Sequence, residues 1–283
     1  MDAVLLACCS AFLFGAMTVA LRVALARGGE AESGALLTIV TALATTLPFV
    51  AVRGDLDLGG VWPFLLAGVL GPGASQLLFT LAVRDAGPSR TSVVVGTAPL
   101  FSVAIALALL DEPLRAALLL GAVLIVVGGL LLVGERVRPK HFKVAGLVFA
   151  FAATAIFAVR DNLVRWLAID TPVSPPLAAA ATLGAGGLCV LVYLAVVRRD
   201  AIPLHRLPLF VPAGLMFGLS YVALFEAYFR GRVTVVSPLV ATESLWGVLL
   251  SALLLRRTEL VGPRLLVGAA LVVAGGALIG AFR

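Results

Sequence analysis

Two stretches decide the fold: LLLGAVLIVVGGLL at 118–131 and LLVGAALVVAGGAL at 265–278. At an offset of 147 (265 − 118), nine of the fourteen positions are identical. Both are apolar throughout, and both carry small residues in register: Gly121, Gly128 and Gly129 in the first, Gly268, Gly275 and Gly276 in the second. Small faces let helices approach closely in lipid, where apolar burial alone gives no drive. A second match precedes each stretch, with Phe14 against Phe157 and Arg22 against Arg165 at an offset of 143 (157 − 14). The chain reads as one unit written twice.

The 283 residues are 61% hydrophobic and 13% charged, with a mean hydropathy of +1.13. A soluble domain carries about 25% charge, so this is an integral membrane protein. Ten apolar segments run at about 4–26, 33–52, 61–83, 88–110, 115–133, 144–168, 176–197, 207–229, 233–255 and 262–282. Lengths near 20 fit membrane helices, not the alternating strands of a barrel. The expected fold is an all-α membrane protein of ten transmembrane helices in two inverted five-helix repeats, 1–134 and 144–283, joined by a basic linker at 135–143. An odd number of helices per repeat inserts the second copy upside down. Secondary transporters are built this way, with their site near the midplane between the repeats.

The net charge of +6 does not point to nucleic acid, because Lys and Arg gather at segment ends. Loops after the odd-numbered helices hold thirteen of them and the opposite side holds five. The positive-inside rule then puts both termini outside. Cys8, Cys9 and Cys189 sit in apolar segments without metal-ligand spacing and read as small packing residues. Leu5-Leu6-Ala7-Cys8 looks like a lipoprotein cleavage box, but too little apolar chain and no basic region precede it. Neither that processing nor a cleaved signal peptide is expected.

Polar residues inside apolar spans are costly and are functional by default. Glu243 lies mid-span, where a carboxylate costs roughly 2.5–3.5 kcal/mol on insertion scales. Its neighbours three and four residues away are Leu239, Val240, Trp246 and Gly247, so no partner exists on its own helix. At the offset of 147 its counterpart is Gly96, so the charge belongs to one half only. Arg160 is likewise alone among Ile156, Phe157, Leu163 and Val164, with Met17 as counterpart. Arg160 and Glu243 are expected to face one cavity, holding the carboxylate and ammonium of an amino acid or closing on each other; a fixed salt bridge is the competing reading. Asp161 and Arg165, and Glu226 and Arg230, stand four apart and can pair within their helices. Asp161 matches Thr18 in the first copy (161 − 143), suggesting one polar face. Arg22 and Arg165 are expected to reach headgroups.

Gly71-Pro72-Gly73 falls mid-span and predicts a kink or unwound turn, tolerated where protein or a cavity satisfies the backbone. Gln76 follows it and either bridges helices or faces the cavity. Tyr221 and Tyr228 share a helix with Glu226, and Trp246 sits one turn from Glu243. His141, His205, Glu112 and Glu259 read as solvated loop or helix-start residues. There is no phosphate loop, Ser/His/Asp set or metal set, so neither an enzyme nor a cofactor is expected.

Two five-helix units, each with Glu, a short turn and a glycine-rich last helix, resemble the EamA family of the drug/metabolite transporter superfamily. The resemblance rests on Pro99 through Leu110-Asp111-Glu112-Pro113-Leu114 into Gly121 and Gly128, and on Leu255 through Glu259 into Gly268 and Gly275. Phe14-Gly15 stands where that family usually has Trp-Gly, followed by a basic residue at the helix exit, here Arg22. Trp246 departs from the first copy, which has Pro99 at the offset of 147, and outside termini depart from better-known members. The resemblance implies a ten-helix permease, often an exporter, with a cavity lined by helices one, three, four, six, eight and nine. The candidate substrate-binding residues are Glu243, Arg160, Asp161, Gln76, Glu226, Tyr221, Trp246, Thr18 and Phe14.

The expected function is a secondary transporter exporting a small polar metabolite, such as an amino acid, by alternating access. Proton coupling through Glu243, Glu226 or Asp161 is part of that expectation, because removal from water disfavours the charged form of a carboxylate. The alternatives are a metabolite importer or a broad exporter of cationic drugs, with Glu243 as a simple counter-charge. A non-transporting scaffold and a membrane-embedded lipid enzyme are more distant readings. The expected partners are a small-molecule substrate and the lipid bilayer, without nucleic acid; monomer and homodimer both stay open. The expected location is a cell membrane, as a multi-pass protein of a prokaryotic plasma membrane.

Overall fold

The computed structural model describes residues 2–54, 58–98, 100–101, 116–133, 142–199, 202–231, 233–255 and 262–282. Glu112, Glu259, Pro99, His141, most of the basic linker and the second half of the fourth apolar segment lie outside the described residues.

Every regular element among the described residues is a helix. In chain order they are α1 (Ala3–Ala26), α2 (Ala31–Arg53), α3 (Trp62–Ala86), α4 (Pro88–Val95), α5 (Ala116–Val133), α6 (Val144–Leu167), α7 (Pro175–Arg198), α8 (Leu207–Arg230), α9 (Val233–Val240), α10 (Glu243–Leu254) and α11 (Pro263–Phe282). Six of them, α1, α2, α3, α6, α7 and α8, are long and apolar enough to cross a membrane. Proline opens α4, α7 and α11 at positions where its missing N–H costs the helix nothing.

The helices pack in a definite set of pairs. α1 lies on α8 and α3 on α6; α2 touches α8 and α3 touches α7; α1 meets α10 and α4 meets α6. Three further pairs are α2 with α7, α4 with α10 and α5 with α11, and all nine pairs join one half of the chain to the other.

Glycine sets the α5–α11 approach. A Cβ on Gly128 would stand 2.7 Å from the Gly268 carbonyl oxygen, and one on Gly275 would stand 2.5 Å from that of Gly121. These are backbone atoms and cannot move aside, so the two helices lie in contact only because the duplicated stretches keep their glycines.

Two further features shape the centre. Within α3 the segment Val69–Ser75 forms a π-helical turn, and Gly71 departs from helical geometry with ψ −105°. Proline at 72 has no N–H to give the ladder, and the Ser75 hydroxyl donates to the Gly71 carbonyl. The expected kink is therefore present. The ninth apolar segment is interrupted as well: α9 ends at Val240 and α10 begins at Glu243. The Thr242 hydroxyl donates to the Leu239 carbonyl at 2.6 Å, competing with the backbone for that acceptor. The same happens after α4, where the Thr97 hydroxyl donates to the Val94 carbonyl at 2.6 Å.

The ends of the bundle are tied by charge. Lys143 reaches Asp85 at 3.5 Å, Arg84 reaches Glu32 at 3.8 Å and Arg206 reaches Glu30 at 3.7 Å, so these residues share one end. Arg53 and Arg230 both bind Glu226 at the other. Arg22 is buried and donates to the Arg84 carbonyl, and the half-buried Arg165 donates to the Tyr228 carbonyl at 2.7 Å. Each finds a backbone acceptor on an adjoining helix that one-helix spacing does not reveal.

Candidate functional site

A cavity of about 30 Å³ lies between α1, α6, α8 and the break between α9 and α10. It has room for about one or two water molecules. Its wall includes Phe14, Arg160, Asp161, Tyr221 and Glu243, five of the nine residues singled out from the sequence.

Arg160 is the best-anchored of these. It is 5% exposed. Its Nε donates to Asp161 Oδ1 at 2.8 Å, and its second terminal nitrogen lies 2.6 Å from the same oxygen. The other terminal nitrogen donates to the Tyr221 hydroxyl. The guanidinium carbon stands 5.0 Å from the centre of the Phe157 ring and 5.2 Å from that of Tyr221, a distance at which a cation and a ring face attract. The buried hydroxyl of Tyr228 stands beside Asp161. The arginine stem runs past the unwound turn of α3, where Gly71 presents no side chain.

The expected pairing is thus corrected. Asp161 pairs with Arg160, its chain neighbour, and not with Arg165. Glu243, 6% exposed, lies within electrostatic reach of Arg160 and Asp161 yet forms neither a hydrogen bond nor an ion pair among the described residues. It is the first residue of α10.

Aromatic and hydroxyl groups complete the wall. Phe14 meets Phe79, Phe157 and Phe217 edge-on, with centroids 5.2, 5.9 and 6.2 Å apart. Ser10 and Ser220, not anticipated from the sequence, each donate to the other's backbone carbonyl at 3.0 Å and fasten α1 to α8 beside the cavity. Nothing in one-helix spacing points to them, since serines are common in such spans.

Four anticipated residues stand away from this wall. Thr18 is fully buried and its hydroxyl returns to the Phe14 carbonyl at 2.9 Å. Gln76 is fully buried on α3, and neither of its amide atoms has a hydrogen-bond partner among the described residues. Glu226 lies between Arg53 and Arg230 at the end of the bundle; the pairing with Arg230 is the one expected from spacing, and Arg53 joins it from α2 at 2.9 Å. Trp246 is 38% exposed and stacks edge-on with Phe12 at 5.2 Å on the outer face of α1 and α10. Among the described residues no group of three His, Cys, Asp or Glu side chains is disposed to hold a metal ion.

An all-helical bundle with an ionisable cluster at its centre and broken helices beside it is the setting in which the comparisons with known proteins stand. Residues 1–134 match the model of the EamA-like transporter family. These residues belong to that family. EamA proteins are membrane transporters rather than enzymes, and the apolar helices agree with a membrane protein. Seventeen chains of solved structures match. One crystal structure superposes with a TM-score of 0.69 at 22% identity, covering 98% of this chain and 94% of the other, which shows a shared fold over nearly the whole length. No curated protein matches.

Proposed function

We propose that the chain is a secondary transporter that passes a small polar solute through the Arg160–Asp161–Glu243 cavity by alternating access, outward in the cell and from a prokaryotic plasma membrane. The observation that carries this reading is a buried ionisable cluster where two half-helices meet at mid-bundle. Broken helices at the midplane are how transporter folds aim backbone groups at a bound solute.

The architecture behind it is ten spans in two inverted repeats, divided at the basic linker 135–143, with α9 and α10 as one broken span. The packing supports it. Exchanging the halves turns the α1–α8 contact into the α6–α3 contact, α2–α8 into α7–α3, and α1–α9 into α6–α4, all of which occur. The α5–α11 glycine contacts obey the same exchange: Gly121 with Gly275 becomes Gly268 with Gly128. The helices α4 and α9 are each eight residues long at an offset of 145 (233 − 88), and Thr97 and Thr242 sit at the following breaks with that offset. By this register the counterpart of Glu243 is Ala98, and Ala98 lines the same cavity. The offset of 147 read from α5 and α11 does not extend back across the loop before them, so Gly96 is not the counterpart of Glu243, and that of Trp246 becomes Phe101 (246 − 145).

A space of about 30 Å³ is too small for a metabolite, so the described arrangement corresponds to a closed state that opens to load. Glu243 and Asp161 are the carboxylates available to couple transport to protons. Reconstitution in proteoliposomes tests the reading: loaded solute should exchange with external labelled solute, and Glu243→Gln should abolish exchange while membrane levels stay normal. Exchange that persists unchanged in Glu243→Gln and Arg160→Ala removes the cavity from the pathway.

A further inference from the structure

The cavity wall carries three ionisable side chains, and their pairing decides which solute charge it can accept. This step rests on the transport reading of the same cavity. Arg160 is committed. Its Nε and one terminal nitrogen serve Asp161, its other terminal nitrogen serves Tyr221, and its guanidinium carbon stands 5.0 Å and 5.2 Å from the ring centres of Phe157 and Tyr221. Arg160 and Asp161 therefore form a neutral unit. Glu243 is left over, 6% exposed and lining the cavity, without a hydrogen bond or ion pair among the described residues.

The backbone does not supply the missing positive charge. A helix start carries about half a positive charge and a helix end about half a negative one. The end of α9 and the start of α10 lie two residues apart at this break, so the two contributions largely cancel beside Glu243. Taking an unpaired charge out of water is expensive unless a partner arrives with it. A solute bringing one positive charge and no negative one provides that partner. A zwitterion must set its carboxylate near Asp161 and Glu243, or first draw Arg160 off both Asp161 and Tyr221.

We infer that the transported solute is a small organic monocation, a primary amine or guanidine lacking a carboxylate, with Glu243 as its counter-charge. An amino acid bridging Arg160 and Glu243 is the reading this displaces, because Arg160 already has its carboxylate.

The test uses three matched sets in which only charge changes: ethylamine, alanine and propionate; isoamylamine, leucine and 4-methylpentanoate; phenethylamine, phenylalanine and 3-phenylpropionate. The unfolding temperature of the purified protein in detergent is read with each, since a ligand of the native state raises it by mass action. At least one amine is expected to raise it while its amino acid and acid do not. Glu243→Gln is expected to remain folded and lose that rise, and Glu243→Asp to keep part of it. The inference is overturned if an amino acid or acid stabilises as well as its amine, if no amine stabilises, or if Glu243→Gln responds like the parent. Uptake into proteoliposomes separates the two claims. Uptake of amino acids or acids without amines overturns the cation assignment and leaves transport standing. Amine binding without amine uptake leaves the cation site standing and overturns transport.

Discussion

The stem of Arg160 lies against the bare Cα of Gly71: a Cβ on Gly71 would stand 2.8 Å from Arg160 Cδ and 3.1 Å from its Cγ. The unwound turn of α3 is thus part of the mould that holds the guanidinium over Phe157 and Tyr221. Gly71→Ala must push the stem aside by several tenths of an ångström while its far end is pinned to Asp161. Transport in proteoliposomes should fall at least several-fold with a modest drop in unfolding temperature, and Gly71→Val should be worse on both. Unaltered transport in Gly71→Val would mean that the position of Arg160 does not matter.

The Arg160–Asp161 pair should behave as a buried ion pair, where removing one partner costs about 3–5 kcal/mol because the other is stranded. The two single variants should differ. Asp161→Asn leaves Arg160 within electrostatic reach of Glu243, whereas Arg160→Met leaves Asp161 and Glu243 facing each other. Arg160→Met should therefore be the less stable, and the double variant should lose less than the sum. A cycle of unfolding measurements on the four proteins checks both statements.

Glu226 should prove structural. It is held between Arg53 and Arg230, whose side chains are 47% and 39% exposed, and it stands at the end of the bundle away from the central cavity. Water and salt weaken such pairs to about 1 kcal/mol or less each. Glu226→Gln should keep its transport rate and lose a little stability, and that loss should shrink as salt is raised. Loss of transport with normal stability would restore Glu226 to the pathway.

Packing of α5 on α11 should tolerate no side chain at its crossing points. In Gly275→Val the added atoms meet the Gly121 carbonyl, which belongs to a helix and cannot give way. The expected outcome is poor accumulation and aggregation on size-exclusion chromatography. A well-folded Gly275→Val protein would show that these helices need not touch.

Orientation rests on the charged ends. Lys143, Arg84 and Arg206 share the end joined by Asp85, Glu32 and Glu30, which agrees with the side assigned to the basic loops. A reporter fused to the C-terminus should report a non-cytoplasmic position; a cytoplasmic signal reverses the topology.

Much of this was legible in the residues alone. Long apolar runs announced the spans, Gly71-Pro72-Gly73 announced the turn in α3, and the duplicated glycines announced close helix approach without saying which helices meet. Arg160 and Glu243 stood out because neither had a partner on its own helix, and both line the cavity. The pairing of Arg160 with Asp161 was hidden, since consecutive residues on a helix point about 100° apart and only a long, bending side chain closes the gap. The break before Glu243 was hidden as well. It contains neither glycine nor proline at 241–242, and it depends on a threonine hydroxyl turning back to the Leu239 carbonyl. The places of Thr18, Glu226 and Trp246 depended on which way each helix face turned, which neighbours decide.

The pairing of Glu243 with Ala98 across the proposed repeat axis has an energetic reach beyond the cavity. Two identical halves would make the inward-open and outward-open forms equal in energy, related by a two-fold rotation in the membrane plane. A carboxylate opposite a methyl group breaks that degeneracy, because one opening exposes the charge on one helix pair and the other opening on a different one. The empty protein should rest unequally between its two faces, with Glu243 contributing to that bias from one copy only.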